Sequence, residues 1–126
     1  MFTVDDYLSQ HAADAEPGEC TDTIRDNAMD LLPRVQALLQ DFGEDRGLRS
    51  GWRPASFNAR AGGAVHSKHM TGQAVDLDDN DGSLDAWLTD AMLEKHGLAR
   101  EAPQATESWC HLQSVLPPSG HRTFLP

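Results

Sequence analysis

Two histidines and one aspartate form a candidate metal-binding set in this sequence. His69 comes seven positions before Asp76, and His111 follows much later in the chain. Two imidazole nitrogens and one carboxylate oxygen are a suitable ligand set for zinc, with the fourth position left for water. Zinc lowers the pKa of such a water to about 7, which provides hydroxide at neutral pH. The same spacing also arises by chance in many proteins, so on its own it is a hypothesis.

The segment around Gly72 must bring His69 towards Asp76. We predict that His69 lies in a loop and that residues 74–78 form a short strand that carries Asp76. Gly72 lies between them and permits the chain to turn, because glycine adopts backbone conformations that other residues avoid. This order of loop, turn and strand is compatible with a shared site.

His111 lies on a second predicted strand, which covers residues 109–115. Side chains alternate between the two faces of a strand, so Trp109 and His111 share one face while Cys110 and Leu112 share the other. Cys110 is therefore a poor candidate for a zinc ligand. His111 can face the strand that carries the aspartate if the two strands are neighbours.

The remaining hydrophobic pattern predicts an α+β fold. Apolar residues recur every three or four positions from a start at Thr21 or Thr23 to Phe42, which is typical of an amphipathic helix. Gly43 would end this helix, and Pro33 would kink it or split it in two. Shorter predicted elements are a helix over 3–12, a strand over 48–53, a helical turn over 56–61, a helix from Ser83 to Gly97 and an edge strand over 122–125. Helices followed by strands predict a small antiparallel sheet with flanking helices.

Length and charge exclude several classes of protein. The chain has 126 residues and a formal charge of −10 at pH 7, which fits one domain over residues 1–126 and, we expect, a monomer. The negative potential disfavours nucleic acids and anionic lipids, and no apolar run is long enough to cross a membrane. No Lys or Arg occurs early in the chain, so we expect no secretory signal. Two cysteines cannot build a disulfide scaffold, and whether Cys20 pairs with Cys110 stays open.

Residues 67–76 carry the most specific motif of the chain. They read SKHMTGQAVD and match the pattern S-x-H-x-x-G-x-A-x-D at every fixed position. Residues 50–53 read SGWR and match S-G-[YFW]-R, and residues 109–111 read WCH and match a closing W-x-H. On these motifs the chain resembles peptidase M15, a family of zinc peptidases that cut D-Ala-D-Ala or L-Ala-D-Glu bonds in bacterial cell walls. The resemblance covers nearly the whole chain and implies the hedgehog/DD-peptidase fold.

The resemblance implies roles for five residues. It implies that His69, Asp76 and His111 are the ligands of one catalytic Zn²⁺. It also implies that Arg53 lies near the substrate or the oxyanion that develops on it, and that Ser67 forms hydrogen bonds beside the site. The implied activity is hydrolysis of peptide bonds in peptidoglycan stem peptides, by a D,D-carboxypeptidase or by an endopeptidase of the endolysin type.

The general base departs from the pattern of this family. Many members carry a glutamate three residues before the last histidine, where this chain has Ser108. Glu107 lies one position earlier, and alternation along a strand would place it on the same face as Trp109 and His111. A bulge could also reset the register. We therefore hypothesise that Glu107 is the general base, with an exposed residue at the strand entry as the alternative.

The type of cut and the presence of turnover stay open at this level. A carboxypeptidase needs a cation for the terminal carboxylate of its substrate, and Arg53 and Arg60 are both candidates. The displaced glutamate leaves an alternative function, a zinc-stabilised and catalytically inactive module that binds the cell wall or a protein. A chain without a secretory signal would be made in the cytoplasm and act at the cell wall or in the periplasm, as phage-encoded enzymes do.

Overall fold

Five helices and five strands make up the fold of residues 1–126 in the computed structural model of this chain. They are, in chain order, α1 Val4–Ser9, α2 Asp22–Phe42, β1 Leu48–Ser50, α3 Ala55–Arg60, β2 Ala74–Asp78, α4 Ser83–Trp87, α5 Asp90–Lys95, β3 Ala99–Glu101, β4 Trp109–Gln113 and β5 Thr123–Phe124. Single 3-10 turns cover Ala12–Asp14 and Pro103–Ala105. The predicted α+β class is confirmed.

The strands form one sheet in the order β1-β2-β4-β3-β5. Neighbouring strands are antiparallel except β3 and β5, which are parallel, so the sheet is mixed where the sequence predicted a purely antiparallel one. In the pairing of β2 with β4, Asp76 lies directly opposite His111. The register of these two central strands therefore determines the distance between the two side chains.

Helix α2 is one continuous helix of 21 residues. The Thr21 hydroxyl accepts a hydrogen bond from the backbone N–H of Ile24 at 3.2 Å, and Gly43 ends the helix with a φ of 91°. Pro33 and Met29 both lie on the exposed face of this helix. Proline has no backbone N–H, so the carbonyl of Met29 receives no hydrogen bond within the helix. Solvent can satisfy that carbonyl, and the predicted split at Pro33 is wrong. No helix of the fold has both the length and the apolar character of a membrane span.

The buried face of α2 belongs to a single hydrophobic core between the helices and the sheet. Six residues of this helix are buried, namely Ala28, Leu31, Leu32, Val35, Leu38 and Leu39. Burial of each leucine side chain contributes about 1.5–3 kcal/mol, so this face of α2 is a large part of the apolar stabilisation of the core. Cys110 of β4 is part of the same core, whereas Cys20 is exposed, and both thiols are free. Burial raises the pKa of the Cys110 thiol, which keeps it protonated and unreactive.

The region between β2 and β4 differs most from the predicted layout. The single helix predicted from Ser83 to Gly97 is two helices, because Leu88 is extended, with φ and ψ of −65° and 138°. The hydroxyl of Thr89 accepts a hydrogen bond from the backbone N–H of Met92 at 3.2 Å and begins α5. Threonine favours such a cap over a helix interior. Strand β3 was not predicted, since three residues are too few to show alternation.

Candidate metal centre

His69, Asp76 and His111 form one buried cluster, with exposed fractions of 2%, 6% and 5%. Their candidate ligand atoms all lie within 4.8 Å of one another. Oδ1 of Asp76 lies 3.2 Å from Nε2 of His69 and 2.9 Å from Nδ1 of His111. The structure thus brings together the three residues that the sequence motifs single out as metal ligands.

His69 is held in place by the segment that follows β1. Its Nδ1 lies 2.9 Å from the carbonyl oxygen of Gly51, and its own carbonyl accepts a hydrogen bond from the backbone N–H of Arg53 at 3.1 Å. A carbonyl oxygen can only accept, so Nδ1 of His69 carries the proton. The other ring nitrogen, Nε2, then presents its lone pair towards Asp76.

The turn between His69 and β2 depends on Gly72. Its φ is +77°, and a Cβ atom at this position would overlap the carbonyl oxygen of Ile24 in α2. Glycine is the residue that accepts both the left-handed backbone and this close approach. Helix α2 therefore packs directly against the turn and sets the position of the loop that carries His69.

Gln113 fixes the ring of His111, and it is a site residue that was not predicted. Its Oε1 lies 2.8 Å from Nε2 of His111, and its Nε2 donates a hydrogen bond to the carbonyl of Val115 at 2.6 Å. Because the amide nitrogen is used at Val115, the amide oxygen faces His111, whose Nε2 must carry the proton. Nδ1 of His111 is left to face Asp76. Alternation along β4 offered the signal, since Gln113 follows His111 by two positions.

This donor set fits a zinc ion. Each histidine gives one N–H to an oxygen acceptor and turns its other nitrogen inward, which is how ligating imidazoles are oriented in zinc sites. Tetrahedral ligands about 2 Å from zinc lie roughly 3.3 Å from one another. The two nitrogen–oxygen separations in the cluster, 2.9 and 3.2 Å, are close to that spacing. Three protein ligands leave a fourth position for water.

The carboxylate of Asp76 stays ionised despite its burial. Burial alone would raise the pKa of Asp76, but the positive charges and hydrogen bonds of His69 and His111 in their protonated forms outweigh this effect and hold the pKa well below its usual range. Its second oxygen, Oδ2, accepts a hydrogen bond from Nη2 of Arg53 at 3.1 Å. The ionised carboxylate is the form that binds a metal cation.

The cluster opens into a cavity of about 370 Å³. Arg53 and Ser67, the two predicted substrate-side residues, both line it. Nε of Arg53 donates a hydrogen bond to the Ser50 hydroxyl at 3.0 Å, and the Ser67 hydroxyl accepts one from the backbone N–H of His69 at 3.2 Å. Arg60, the other candidate cation, does not line this cavity and is paired with an aspartate elsewhere.

The cavity contains a glutamate, but it is Glu101 and not Glu107. Glu101 lies at the end of β3 with 22% of its side chain exposed, and its Oε1 is 3.6 Å from Nδ1 of His111. Glu107 is exposed and does not line the cavity. The alternation used to predict Glu107 holds only within a strand, and β4 begins at Trp109, after a bend. Glu101 was missed because β3 was missed.

Part of the cavity wall is built by the last residues of the chain. Pro117, Pro118, Phe124 and Pro126 line it. The ring of Phe124 lies 6.4 Å from the ring of His111, edge to face. Strand β5 holds this wall against β3, where Glu101 pairs with Phe124. The tail therefore adds prolines and an aromatic ring to a cavity that is lined mostly by polar residues.

Comparison with known proteins agrees with the geometry of this site. A comparison with curated proteins gives no match to the chain. The family model of Peptidase M15, whose members are generally zinc-dependent peptidases, matches residues 3–113. This match includes β1, the loop with His69, and strands β2 and β4 that carry Asp76 and His111. The chain belongs to the peptidase M15 family.

Proposed function

We propose that this protein hydrolyses peptide bonds in the stem peptides of bacterial peptidoglycan, with one zinc ion in the cavity. The observation that carries the proposal is the buried His-Asp-His cluster that opens into a cavity with a further carboxylate, that of Glu101. A purely structural zinc site has four protein ligands and is closed. Here the cluster provides three ligands and reaches the cavity, which favours catalysis.

The ligands of the ion would be Nε2 of His69, a carboxylate oxygen of Asp76 and Nδ1 of His111. When bound, zinc supplies a Lewis acid that lowers the pKa of water and polarises the scissile carbonyl. Gly51 and Gln113 hold the two imidazole rings by their outer N–H groups. This support keeps the rings fixed whether or not substrate is present, and such preorganisation is a main source of catalytic power.

Glu101 acts as the general base in this proposal. Its carboxylate takes a proton from the attacking water and returns it to the nitrogen of the leaving amine, so that the peptide bond breaks into an acid and an amine. The position of Oε1, 3.6 Å from Nδ1 of His111, supports this role because it places the carboxylate beside the cluster. Glu107, at an exposed position outside the cavity, would be too remote for the same task.

Arg53 and Ser67 complete the polar side of the site. Arg53 holds Oδ2 of Asp76 and adds positive charge to the cavity wall, where the carbonyl oxygen becomes negative in the transition state. The Ser67 hydroxyl oxygen is used by the backbone of His69, so its hydrogen is free to be donated to substrate. Both roles agree with those implied by the resemblance to cell-wall peptidases.

The experiment is a digestion of bacterial sacculi followed by mass spectrometry of the released muropeptides. The zinc-loaded protein is compared with the same protein after chelation and after zinc is restored. Chelator-sensitive release of amine groups supports the proposal, and the masses of the products locate the cut. Binding to sacculi with no release would instead support the alternative, a zinc-stabilised binding module, and neither binding nor release would overturn both.

A further inference from the structure

We propose that Lys68 binds a free carboxylate of the substrate, on the residue that leaves when the peptide bond is cut. Lys68 comes directly before His69, is half-buried and lines the cavity of the metal centre. The inference rests on the proposed function and names the chemical group that this site would recognise next to the scissile bond.

The first observation is that the Lys68 side chain has no partner. The chain has ten Lys and Arg residues, and eight of them form an ion pair with a carboxylate. Of the other two, Arg122 donates a hydrogen bond to the carbonyl of Leu98 at 3.0 Å. Lys68 is left with neither, in a protein with twenty acidic residues. Lys68 is also one of the residues that line the metal cavity.

The second observation is that the backbone of Lys68 is fixed although its side chain is free. Its carbonyl accepts hydrogen bonds from the backbone N–H of Gln73 at 2.9 Å and from the Thr71 hydroxyl at 3.2 Å. The next residue, His69, is held by Gly51. Because its backbone is fixed next to His69, Lys68 loses only the conformational freedom of its own side chain when it binds a carboxylate.

The other cations near the site are already engaged. Arg53 uses Nη2 for Asp76 and Nε for Ser50, so it is held against the cluster. Arg60 forms an ion pair with Asp14 and does not line the cavity. Both arginines that the sequence offers as carboxylate-binding cations already form ion pairs, whereas Lys68 forms none. Lys68 is therefore the better candidate for the cation that binds the carboxylate.

Substrate chemistry indicates what this cation would meet. In a D-Ala-D-Ala terminus the leaving D-Ala carries a free α-carboxylate. In an L-Ala-D-Glu bond the stem continues through the γ-carboxyl of D-Glu, so the leaving D-Glu also carries a free α-carboxylate. A protein of charge −10 repels such anions, and a local unpaired cation offsets that repulsion at the cavity. One lysine can thus serve both cuts.

The test compares free-acid and amidated substrates. Two pairs of peptides are used: one ends in D-Ala-D-Ala as acid or amide, and the other has L-Ala-γ-D-Glu with its α-carboxyl free or amidated. We expect the zinc-loaded protein to prefer the free acid in at least one pair, and the pair that responds identifies the source of the carboxylate. In Lys68→Gln, kcat/KM for the free acid should fall roughly 10- to 100-fold, the scale of a charged hydrogen bond, and that for the amide should change little.

Two matched variants serve as controls. Lys95→Gln removes the chain's other lysine, which is paired with Asp41 away from the cavity, and should keep the preference. Lys68→Arg retains a cation and should restore most of it. An equal rate for acid and amide in the unaltered protein, or a preference that survives in Lys68→Gln, would overturn the proposal for Lys68 while leaving the peptidase function intact.

A measurement without turnover separates this inference from the proposed function. If no peptide is cleaved, the peptidase proposal fails, and binding of the same peptides to the zinc-loaded protein is measured by calorimetry. The carboxylate site then predicts tighter binding of the free acid, with a difference that disappears in Lys68→Gln. Equal affinity for acid and amide, or no binding of either, would overturn the assignment to Lys68.

Discussion

Glu101 and Asp76 approach the same nitrogen of His111 from two different strands. Nδ1 of His111 lies 2.9 Å from Oδ1 of Asp76 on β2 and 3.6 Å from Oε1 of Glu101 on β3. Oδ1 of Asp76 also lies 3.2 Å from Nε2 of His69, inside the cluster of three candidate ligands, whereas Glu101 lies beside that cluster. Two carboxylates around one imidazole can thus have separate tasks, one to hold a metal and the other to move a proton.

Replacement of Glu101 tests that division of tasks. Glu101→Gln should bind zinc with unchanged affinity but lose turnover by about 10²-fold or more, because the amide cannot accept the proton of the attacking water. Glu107→Gln is the matched control, since it changes an exposed glutamate outside the cavity and should keep full turnover. The measurements are cleavage rates and zinc affinity by competition with a chelator.

Full turnover in Glu101→Gln together with lost turnover in Glu107→Gln would identify Glu107 as the general base. A third outcome is also informative, because a drop in zinc affinity in Glu101→Gln would make Glu101 a fourth ligand. In that case the site would be closed by protein groups, which favours a structural role for zinc.

Gln113 is expected to control zinc affinity through His111. In Gln113→Ala the Nε2–H of His111 loses its acceptor, and the ring loses its fixed tautomer and orientation, so zinc affinity should fall about 10- to 100-fold. Gln113→Glu keeps an oxygen acceptor for His111 but loses the donor to the Val115 carbonyl, so its zinc affinity should lie between those of Gln113→Ala and the unaltered protein. Chelator competition measures both variants, and equal affinities for Ala, Glu and Gln at this position would contradict the assignment.

Zinc affinity should decrease as the pH is lowered, over a range set by the pKa of His111. Burial alone would lower the pKa of His111, but the hydrogen bond and charge of Asp76, with smaller effects of Glu101 and Gln113, raise it above its ordinary value. A proton on Nδ1 excludes the metal, so a raised pKa means that competition starts at a higher pH than for a free imidazole. Zinc titrations from about pH 8 to about pH 5.5 should show a steady loss of affinity. A constant affinity over that range would argue against histidine ligation.

Gly72 should be far less tolerant of a side chain than Gly120. Both have positive φ, of 77° and 75°, so alanine costs roughly 1–2 kcal/mol of backbone strain at either position. At Gly72 the new Cβ would also overlap the Ile24 carbonyl, whereas at Gly120 it meets nothing within 4 Å. Urea unfolding should therefore show a larger loss of stability for Gly72→Ala. Equal losses would mean that α2 does not hold the turn before β2.

The sequence predicts those parts of the fold that repeat a pattern over enough residues. The stripe of α2 extends over six turns, and its end at Gly43 agrees with the structure. Strands β2 and β4 were predicted because five residues suffice to show a buried or alternating strand. Strand β3 has three residues and β5 has two, so neither shows a period.

The residues of the candidate site also differ in whether local sequence patterns can predict them. His69, Asp76 and His111 belong to motifs whose residues are close in sequence to a turn or a strand, so local reasoning can group them. Glu101 comes from another strand, and its place in the cavity depends on the order of the strands in the sheet. Glu107 was favoured because strand alternation was extended across a bend, where the direction of a side chain no longer follows it.

The tail wall of the cavity lies outside the segment that the family model matches. Residues 114–126 pair with none of the three candidate ligands in the sheet, yet they add β5 beside Glu101 and put prolines and Phe124 into the cavity. The candidate ligands and the proline-rich part of the cavity wall are thus encoded in different stretches of chain. Exchange of Pro117 and Pro118, which lie outside β5, is therefore a practical route to new bond preferences, since it would change the surface around the peptide while β5 still supports the strand of Glu101.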